Sequence, residues 1–282
     1  MQIIDGKKIA QKIIDELKKQ PKPEKIFAAV LVGDNPQSKS FLKQKEKVAK
    51  ELGIDFRMYE FPAKLKNDDL RKEVGKIALL KRVGGVIIQL PLPEHINRHY
   101  ILNVILREKD VDVLGERALG AFYNNRNIIL PPAVGVVDEI VSSMKYQVSS
   151  AKVAVVGRGF LVGKPIAIWL TDKVKELGVF GRESDLTPPA GGLKNYDLII
   201  SGVGQAGLIK PEMLKDGAGV IDFGYSINEN GKISGDLDAN LIQNSKFKIQ
   251  NSSWYTPTPG GTGPILVAKI FENFYKLTQT KK

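Results

Sequence analysis

Strand-like and helix-like segments alternate along almost the entire chain, and this alternation limits the folds that the chain can adopt. Short apolar runs typical of buried strands are separated by helical stretches such as residues 36–52. Alternation of this kind is typical of α/β proteins with mainly parallel strands. The strand-like runs read IFAAVLVG, VGGVIIQL, KVAVVG, LGVFG, YDLIISGVG and GAGVIDFG. We therefore predict an α/β fold.

A chain of 282 residues can form two domains of ordinary size or one large domain. We expect a domain break near residues 115–135, because the segment LGAFYNNRNIILPPAVG is loop-like, with three asparagines, an arginine and a double proline. A helix, VVDEIVSSMKY, is predicted to follow this loop. The sequence leaves open whether the last helical segment, ILVAKIFENFYKLT, packs back onto the first domain.

The net charge gives two readings of what the chain binds. Lysine and arginine outnumber aspartate and glutamate by 42 to 31, and the formal net charge is +11. Such a charge indicates an anionic ligand or nucleic acid, or else only a lysine-rich soluble surface. The lysines are scattered along the whole sequence and are not clustered among aromatic residues, so we expect no nucleic-acid partner.

Other features of the composition exclude several classes of site. The sequence has no cysteine and only two histidines, His95 and His99, so we expect no disulfide, no cysteine nucleophile and no metal site. The first residues have the pattern of an amphipathic helix and not of a signal peptide, because lysines interrupt each apolar run. No apolar stretch approaches the roughly 20 residues that a membrane span needs. We expect a cytoplasmic protein without a membrane partner.

The run KVAVVG leads directly into a glycine-rich segment with the spacing G-x-G-x-x-x-G. Gly157, Gly159 and Gly163 would let the backbone turn tightly and approach a pyrophosphate closely. Pro165 suits the first turn of a following helix, whose positive end would face the phosphates. A glycine-rich loop between a strand and a helix predicts a Rossmann-type dinucleotide-binding domain.

Two arginines favour NADP over NAD as the dinucleotide. Arg182 follows the next strand-like run, where an NAD enzyme usually places an acidic residue, and an arginine there can pair with a 2′-phosphate. Arg158, inside the glycine loop, is a second candidate. Alternatively both arginines are solvated loop residues, and the acidic Glu183 adjoins Arg182.

Two later strand-like runs also end in glycine-containing turns, at Ser201–Gly204 and Asp222–Tyr225. Ligands of open parallel sheets bind beyond the carboxyl ends of the strands. Gly202 and Gly204 are therefore candidates for contact with the nicotinamide half of the cofactor, although the segments could equally be only tight turns.

One helix of the first half carries a lysine that could transfer protons. Asn35–Pro36 is a favourable helix start and Gly53 a favourable stop. Between them Ser38, Phe41 and Lys45 share one helix face because they are three and four residues apart. A lysine that is shielded from water has a lowered pKa. The alternative is an ordinary solvated lysine, since four more lysines lie on the same helix.

Three further segments carry residues suited to a small-molecule site. Gln89 ends a strand-like run and precedes two prolines, which would fix its orientation. Asp112 could accept two hydrogen bonds from an amino-pyrimidinone edge such as that of a pterin ring. In the loop TPTPGGTGP, Pro259, Gly260 and Gly261 would let backbone groups approach a ligand closely.

Over essentially its whole length the chain resembles the bifunctional methylenetetrahydrofolate dehydrogenase/methenyltetrahydrofolate cyclohydrolase family. The resemblance implies two α/β domains that flank a cleft. Residues 1–130 would form a folate-binding catalytic domain, which the C-terminal helix 263–282 would complete. Residues 131–262 would form an NADP-binding Rossmann-like domain. It also implies a homodimer. The segments that carry it, in the same order and spacing, are QLPLP at Gln89–Pro93, KDVD at Lys109–Asp112, VVGRGFLVGKP at Val155–Pro165 and TPTPGGTGP at Thr256–Pro264.

The resemblance further implies a reaction on tetrahydrofolate derivatives, in the one-carbon metabolism that serves purine biosynthesis. In the family, 5,10-methylenetetrahydrofolate gives its hydride to the nicotinamide of NADP, and water then opens the methenyl product to 10-formyltetrahydrofolate. By resemblance, Lys45 is the essential lysine, Gln89 orients it and Asp112 binds the pterin.

The remaining site residues are also assigned by resemblance. Arg158 and Arg182 fall where the 2′-phosphate of the cofactor is held. The substrate-binding residues are expected to be Ser38, Phe41, Pro259, Gly260 and Gly261, and the cofactor-binding residues Gly157, Arg158, Gly159, Gly163, Arg182, Gly202 and Gly204.

The chain departs from the family at four places. Phe41 replaces a tyrosine one turn before the lysine, Val113 replaces a glycine after DVD, residues 130–135 lack a threonine of the P-C-T-P-x-G stretch, and Gly181–Arg182 replaces a histidine-serine pair. These departures leave room for a single retained activity or a folate-binding relic without turnover. A Rossmann dehydrogenase of another small molecule would leave the matches of the first domain unexplained.

Overall fold

The computed structural model describes residues 2–187, 192–228, 231–244 and 253–279. It forms two compact units. Unit A comprises Gln11–Pro132 with Val267–Lys282, and unit B comprises Met1–Ala10 with Ala133–Leu266.

In the described residues the strands are β1 Gln2–Ile3, β2 Ile26–Val32, β3 Phe56–Phe61, β4 Val83–Ile88, β5 Lys152–Val156, β6 Glu176–Phe180, β7 Leu198–Ser201, β8 Gly219–Asp222, β9 Ser226–Ile227, β10 Ile233–Ser234 and β11 Trp254–Tyr255. The α-helices are α1 Gly6–Lys18, α2 Pro36–Leu52, α3 Asn67–Leu79, α4 Arg98–Leu102, α5 Glu116–Tyr123, α6 Pro132–Ser143, α7 Gly163–Leu170, α8 Ala239–Asn244 and α9 Thr262–Gln279. All six strand-like runs of the sequence form strands, and the predicted α/β class is confirmed.

Unit A contains a parallel three-stranded sheet in the order β3-β2-β4. The central strand β2 is buried along its whole length, which explains its uninterrupted apolar sequence. Helix α9 packs against this strand, since the rings of Phe27 and Phe274 are stacked with centroids 4.7 Å apart. The C-terminal helical segment therefore contributes to the core of unit A.

Helix α2 has the limits that its sequence predicts. The Asn35 side chain accepts a hydrogen bond from the Ser38 backbone N–H at 3.0 Å, and Gly53 adopts φ 67° at the other end. A side chain would disfavour that backbone conformation, so glycine suits the position. The buried face of the helix consists of Ser38, Leu42, Lys45, Ala49 and Leu52.

The prediction of a loop from Leu119 to Gly135 is partly wrong. Helix α5 extends to Tyr123 and helix α6 begins at Pro132, so only residues 124–131 lie between helices. Helix α5 forms because Ala118 and Phe122, four residues apart, share one buried face. The asparagines and prolines thus mark the ends of two helices and not a long loop.

Unit B contains a parallel six-stranded sheet in the order β1-β11-β8-β7-β5-β6. From β5 the chain runs first to β6 on one side and then to β7 on the other, so the carboxyl ends of β5 and β7 form a topological switch point. Residues 1–10 belong to this unit because β1 pairs with β11, whereas the sequence-based division assigned them to the first domain. A short antiparallel pair, β9 and β10, follows β8.

In the part of the chain that the structure describes, no helix is both long enough and apolar enough to cross a membrane.

Candidate active site and cofactor-binding region

A buried lysine-glutamine pair lies at the centre of the candidate site in unit A. The Nζ of Lys45, on α2, donates a hydrogen bond of 2.8 Å to Oε1 of Gln89, which directly follows β4. Each residue keeps only 8% of its surface exposed. The Nε2 of Gln89 donates to the Leu90 carbonyl at 2.8 Å, which fixes the amide so that its oxygen faces the lysine.

Burial changes the proton affinity of this site. It lowers the pKa of the Lys45 amine, and the negative charge of Asp112 opposes part of that change. Burial also raises the pKa of Asp112 to about 6, against the effect of the positive charge of Lys45. A lysine with a lowered pKa has a larger neutral fraction near neutral pH and can accept a proton.

Two other predicted residues lie on the same helix as the lysine. Ser38 is almost completely buried, and its hydroxyl is the one buried side-chain polar atom without a hydrogen-bond partner in the described part of the chain. Phe41 is half-buried. Buried polar groups are nearly always hydrogen-bonded in native proteins, so the Ser38 hydroxyl is suited to a ligand.

In the KDVD segment, the side chains of Lys109 and Asp110 bond to the protein backbone, whereas that of Asp112 is partly exposed. The Lys109 ammonium donates to the carbonyls of Ala78 and Leu80 at the end of α3. The Asp110 carboxylate accepts hydrogen bonds from the backbone N–H groups of Leu114 and Gly115. Asp112 instead remains partly exposed, so only this carboxylate can reach a ligand.

Val113, which follows KDVD, adopts φ 56° and is fully buried. This left-handed conformation is unfavourable for a β-branched residue. A glycine would adopt it without strain, which gives a physical reason for the family's glycine at this position. The structure keeps the left-handed turn despite the valine.

The loop with Pro259, Gly260 and Gly261 belongs to unit B. The Thr258–Pro259 peptide bond is cis, and Gly260 adopts φ 100°. A Cβ on Gly261 would lie 2.5 Å from the Pro257 carbonyl oxygen. The loop is therefore folded so tightly that only glycines fit at these two positions.

The glycine fingerprint forms a tight turn between β5 and α7. Gly157 adopts φ 102°, and a Cβ on Gly163, the first residue of α7, would collide with the Gly157 carbonyl oxygen. The turn lies at a helix N-terminus, next to the switch point of the sheet. These features fit a dinucleotide pyrophosphate.

The two arginines expected near the cofactor follow neighbouring strands. Arg158, in the glycine turn, donates from Nη2 to the Val179 carbonyl of β6 at 3.0 Å. Its guanidinium lies beside Gly181, where a Cβ would be 3.1 Å from Cζ. Arg182 is exposed in the turn that follows β6. Both residues are thus near the end of β6, where a Rossmann-type domain binds the adenosine ribose.

The predicted glycines after β7 lie beside the fingerprint. A Cβ on Gly157 would lie 3.0 Å from the Gly202 carbonyl oxygen, and a Cβ on Gly202 would lie 2.6 Å from Cγ1 of Val162. Gly204 adopts φ 78°. Sequence reasoning missed a buried carboxylate, Asp236, that accepts four hydrogen bonds from this turn. It lies more than thirty residues away along the chain and belongs to no recognised motif.

Family models match both halves of the chain. Residues 4–112 match the catalytic domain of tetrahydrofolate dehydrogenase/cyclohydrolase, and residues 131–282 match its NAD(P)-binding domain. The "Bifunctional protein FolD" of Bacillus licheniformis is 33% identical over 97% of this chain and 96% of that protein.

Solved structures give the same result. The bifunctional FolD methylenetetrahydrofolate dehydrogenase/cyclohydrolase of Campylobacter jejuni has a TM-score of 0.90 and 30% identity, covering 100% of both chains. The Trypanosoma brucei N5,N10-methylenetetrahydrofolate dehydrogenase-cyclohydrolase, solved with NADP cofactor and inhibitor, has a TM-score of 0.87 and 26% identity, covering 98% of this chain and 97% of that chain.

Proposed function

The chain belongs to the tetrahydrofolate dehydrogenase/cyclohydrolase family, and from this premise we propose that it catalyses both reactions of that family with NADP. It oxidises 5,10-methylenetetrahydrofolate to the 5,10-methenyl cation and hydrolyses this cation to 10-formyltetrahydrofolate. The observation that carries the proposal is the buried Lys45–Gln89 hydrogen bond in the electrostatic field of Asp112.

Lys45 moves the proton of the hydrolytic step. Water adds to the methenyl carbon and the bond between that carbon and N5 breaks. Of the two protons of the water, one ends on N5 and the other is released. The neutral Lys45 amine accepts that proton from the attacking water. Gln89 holds the amine in place through a 2.8 Å hydrogen bond, so little reorganisation is needed during the reaction.

We assign the folate substrate to the polar and aromatic groups around the lysine. The Asp112 carboxylate accepts two hydrogen bonds from the amino-pyrimidinone edge of the pterin. The hydroxyl of Ser38 is buried without a protein partner and gives the substrate a further polar contact. Phe41 offers a ring for stacking. We assign the backbone of Pro259, Gly260 and Gly261 to substrate contact as well.

The dinucleotide is held by unit B. We assign its pyrophosphate to the turn that contains Gly157, Gly159 and Gly163, and its 2′-phosphate to Arg158 and Arg182. The turn with Gly202 and Gly204 is assigned to the nicotinamide half. When bound, NADP supplies the acceptor for the hydride of the methylene group.

Further features of the proposal come from the family resemblance alone. We propose a cytoplasmic homodimer that acts on small folates and not on nucleic acid or membranes, and that supplies one-carbon units for purine biosynthesis. Sedimentation analysis of the purified protein tests the dimer, because a monomer at working concentration would contradict it.

Two assays on purified protein test the proposed function. Reduction of NADP and NAD is followed in parallel with 5,10-methylenetetrahydrofolate, and hydrolysis of the methenyl compound is followed without any dinucleotide. We expect faster reduction of NADP than of NAD, and hydrolysis well above the rate in buffer. Absence of both activities would refute the proposal, and turnover of NAD alone would refute the cofactor assignment.

Replacement of Arg182 by alanine is expected to raise the Michaelis constant for NADP by about tenfold, because a charge-assisted contact to the 2′-phosphate is lost. The constant for NAD should change little, since NAD has no 2′-phosphate. Lys210→Ala, a change at an exposed basic residue of the same unit, is the control. An equal effect of Arg182→Ala on both cofactors would contradict the assignment.

The phenylalanine at position 41 favours a second candidate function, an enzyme that retains the dehydrogenase with little cyclohydrolase. Phe41 lies one turn before Lys45 on α2 and lacks the hydroxyl of the family's tyrosine. Such a protein would reduce NADP at an ordinary rate and accumulate the methenyl compound.

Restoring the hydroxyl tests the role of position 41. Phe41→Tyr is expected to raise the rate of methenyl hydrolysis by about twofold to tenfold, the effect of one added hydrogen bond. Phe61→Tyr, a half-buried residue at the end of β3, controls for the substitution itself. If the two variants hydrolyse the methenyl compound at the same rate, the missing hydroxyl does not limit the reaction.

A further inference from the structure

The turn after β7 is held by a single buried carboxylate. The Oδ2 of Asp236 accepts hydrogen bonds from the Ser201 hydroxyl at 2.6 Å and the Val203 N–H at 2.8 Å. Its Oδ1 accepts from the N–H groups of Gly204 at 2.9 Å and Gln205 at 2.8 Å. Three consecutive backbone donors and one hydroxyl thus converge on one side chain, which is fully buried.

A second carboxylate holds the segment from which Asp236 projects. The Oδ1 of Asp222, at the end of β8, accepts from the N–H of Asp236 at 3.2 Å, and its Oδ2 accepts from the N–H of Leu237 at 2.9 Å. A Cβ on Gly224 would collide with the Asp236 carboxylate and backbone N–H. The turns that follow β7 and β8 are therefore both built around Asp236.

The turn held by Asp236 supports the glycine fingerprint from one side. The Gly202 carbonyl oxygen packs against Gly157, where an added Cβ would lie only 3.0 Å from it. Gly202 itself packs closely on Val162. A shift of the turn after β7 would consequently displace the backbone that lines the dinucleotide turn. Interiors packed this closely transmit small displacements.

We propose that Asp236 is a positioning residue for the dinucleotide: its carboxylate holds the turn at residues 201–205 in the shape that receives the nicotinamide half and supports the pyrophosphate turn. This inference rests on the proposed function, because it presupposes that unit B binds NADP. Asp236 acts through the backbone of the turn and is not itself assigned a contact with the cofactor.

The substitution Asp236→Asn tests the proposal because it keeps the size of the side chain. Each carboxylate oxygen of Asp236 accepts two hydrogen bonds. In the asparagine an NH2 group replaces one of these oxygens and cannot accept them, so two of the four hydrogen bonds are lost. We expect the dissociation constant for NADP, measured by calorimetry, to rise by about tenfold. The Michaelis constant for NADP should rise in parallel. The rate constant for methenyl hydrolysis should stay at the wild-type value, because this step needs no dinucleotide.

Two further variants make the test decisive. Asp238→Asn changes the same residue type two positions later, where asparagine can still cap α8 through the bond to the Leu241 N–H; its affinity for NADP should equal that of the wild type. Ser201→Ala removes only the hydroxyl donor and should raise the dissociation constant by about twofold to tenfold.

The outcomes separate the inference from the proposed function. If wild-type protein binds NADP and folded Asp236→Asn binds it equally well, the inference is wrong and the function stands. If Asp236→Asn does not fold, Ser201→Ala decides, and unchanged affinity in that variant overturns the inference. If the wild-type chain does not bind NADP, the proposed function fails and the inference fails with it.

Discussion

Replacement of Lys45 by methionine is expected to lower the rate of methenyltetrahydrofolate hydrolysis by about a hundred- to ten-thousand-fold, the usual contribution of a general acid–base group. Methionine keeps the length and apolar packing of the lysine stem but has no amine to accept a proton. The native amine is buried and donates to Gln89 at 2.8 Å, and burial lowers its pKa. Single-turnover hydrolysis without dinucleotide measures the effect directly.

Lys43→Met is the matched control, because it makes the same substitution at a lysine that is exposed on the same helix. It should hydrolyse the methenyl compound at the wild-type rate, and both variants should unfold at similar temperatures. Hydrolysis by Lys45→Met at the wild-type rate would show that the lysine has no catalytic role.

The substitution Asp112→Asn should weaken folate binding by about a hundredfold and leave NADP binding intact. Asparagine keeps the shape, but its amide group places donors opposite the N–H groups of the pterin, so buried donors face each other without an acceptor. Calorimetric titration with tetrahydrofolate and with NADP measures the two affinities separately. Unchanged folate affinity would contradict the assignment.

The pH dependence of folate binding provides a second readout for Asp112. Burial raises the pKa of this carboxyl to about 6, and only the ionised form accepts two hydrogen bonds from the pterin. Folate affinity of the wild type should therefore fall as the pH drops below about 6, and this fall should be absent from Asp112→Asn. Asp69→Asn, at an exposed position on α3, should retain the wild-type profile.

Local sequence was sufficient to predict most of the fold. Buried parallel strands such as β2 and β5 have uninterrupted apolar sequences, and α2 has a capping residue at one end and a glycine at the other. The edge strand β3 was not among the predicted strands because exposed polar residues interrupt it. The sequence predicts a loop in place of helix α5 because asparagines follow the helix directly, although residues four apart form its buried face.

The residues of the candidate site that belong to short sequence motifs can be predicted from the sequence. The glycine spacing at Gly157–Gly163 requires close backbone contacts, and the structure contains them. Spacing alone left Lys45 indistinguishable from the other lysines of α2; burial and the bond to Gln89 single it out. Asp236 could not be predicted, because its partners lie 31 to 35 residues away along the chain and only the folded chain brings them together.

A single time course tests the central claim, that this chain joins an NADP-dependent oxidation to a hydrolysis. Purified protein is supplied with 5,10-methylenetetrahydrofolate and NADP, and NADPH, the methenyl compound and 10-formyltetrahydrofolate are quantified in the same samples. The account predicts that NADPH and 10-formyltetrahydrofolate accumulate in equal amounts, with the methenyl compound only transient. Absence of NADPH, or methenyltetrahydrofolate that accumulates and decays no faster than in buffer, would contradict it.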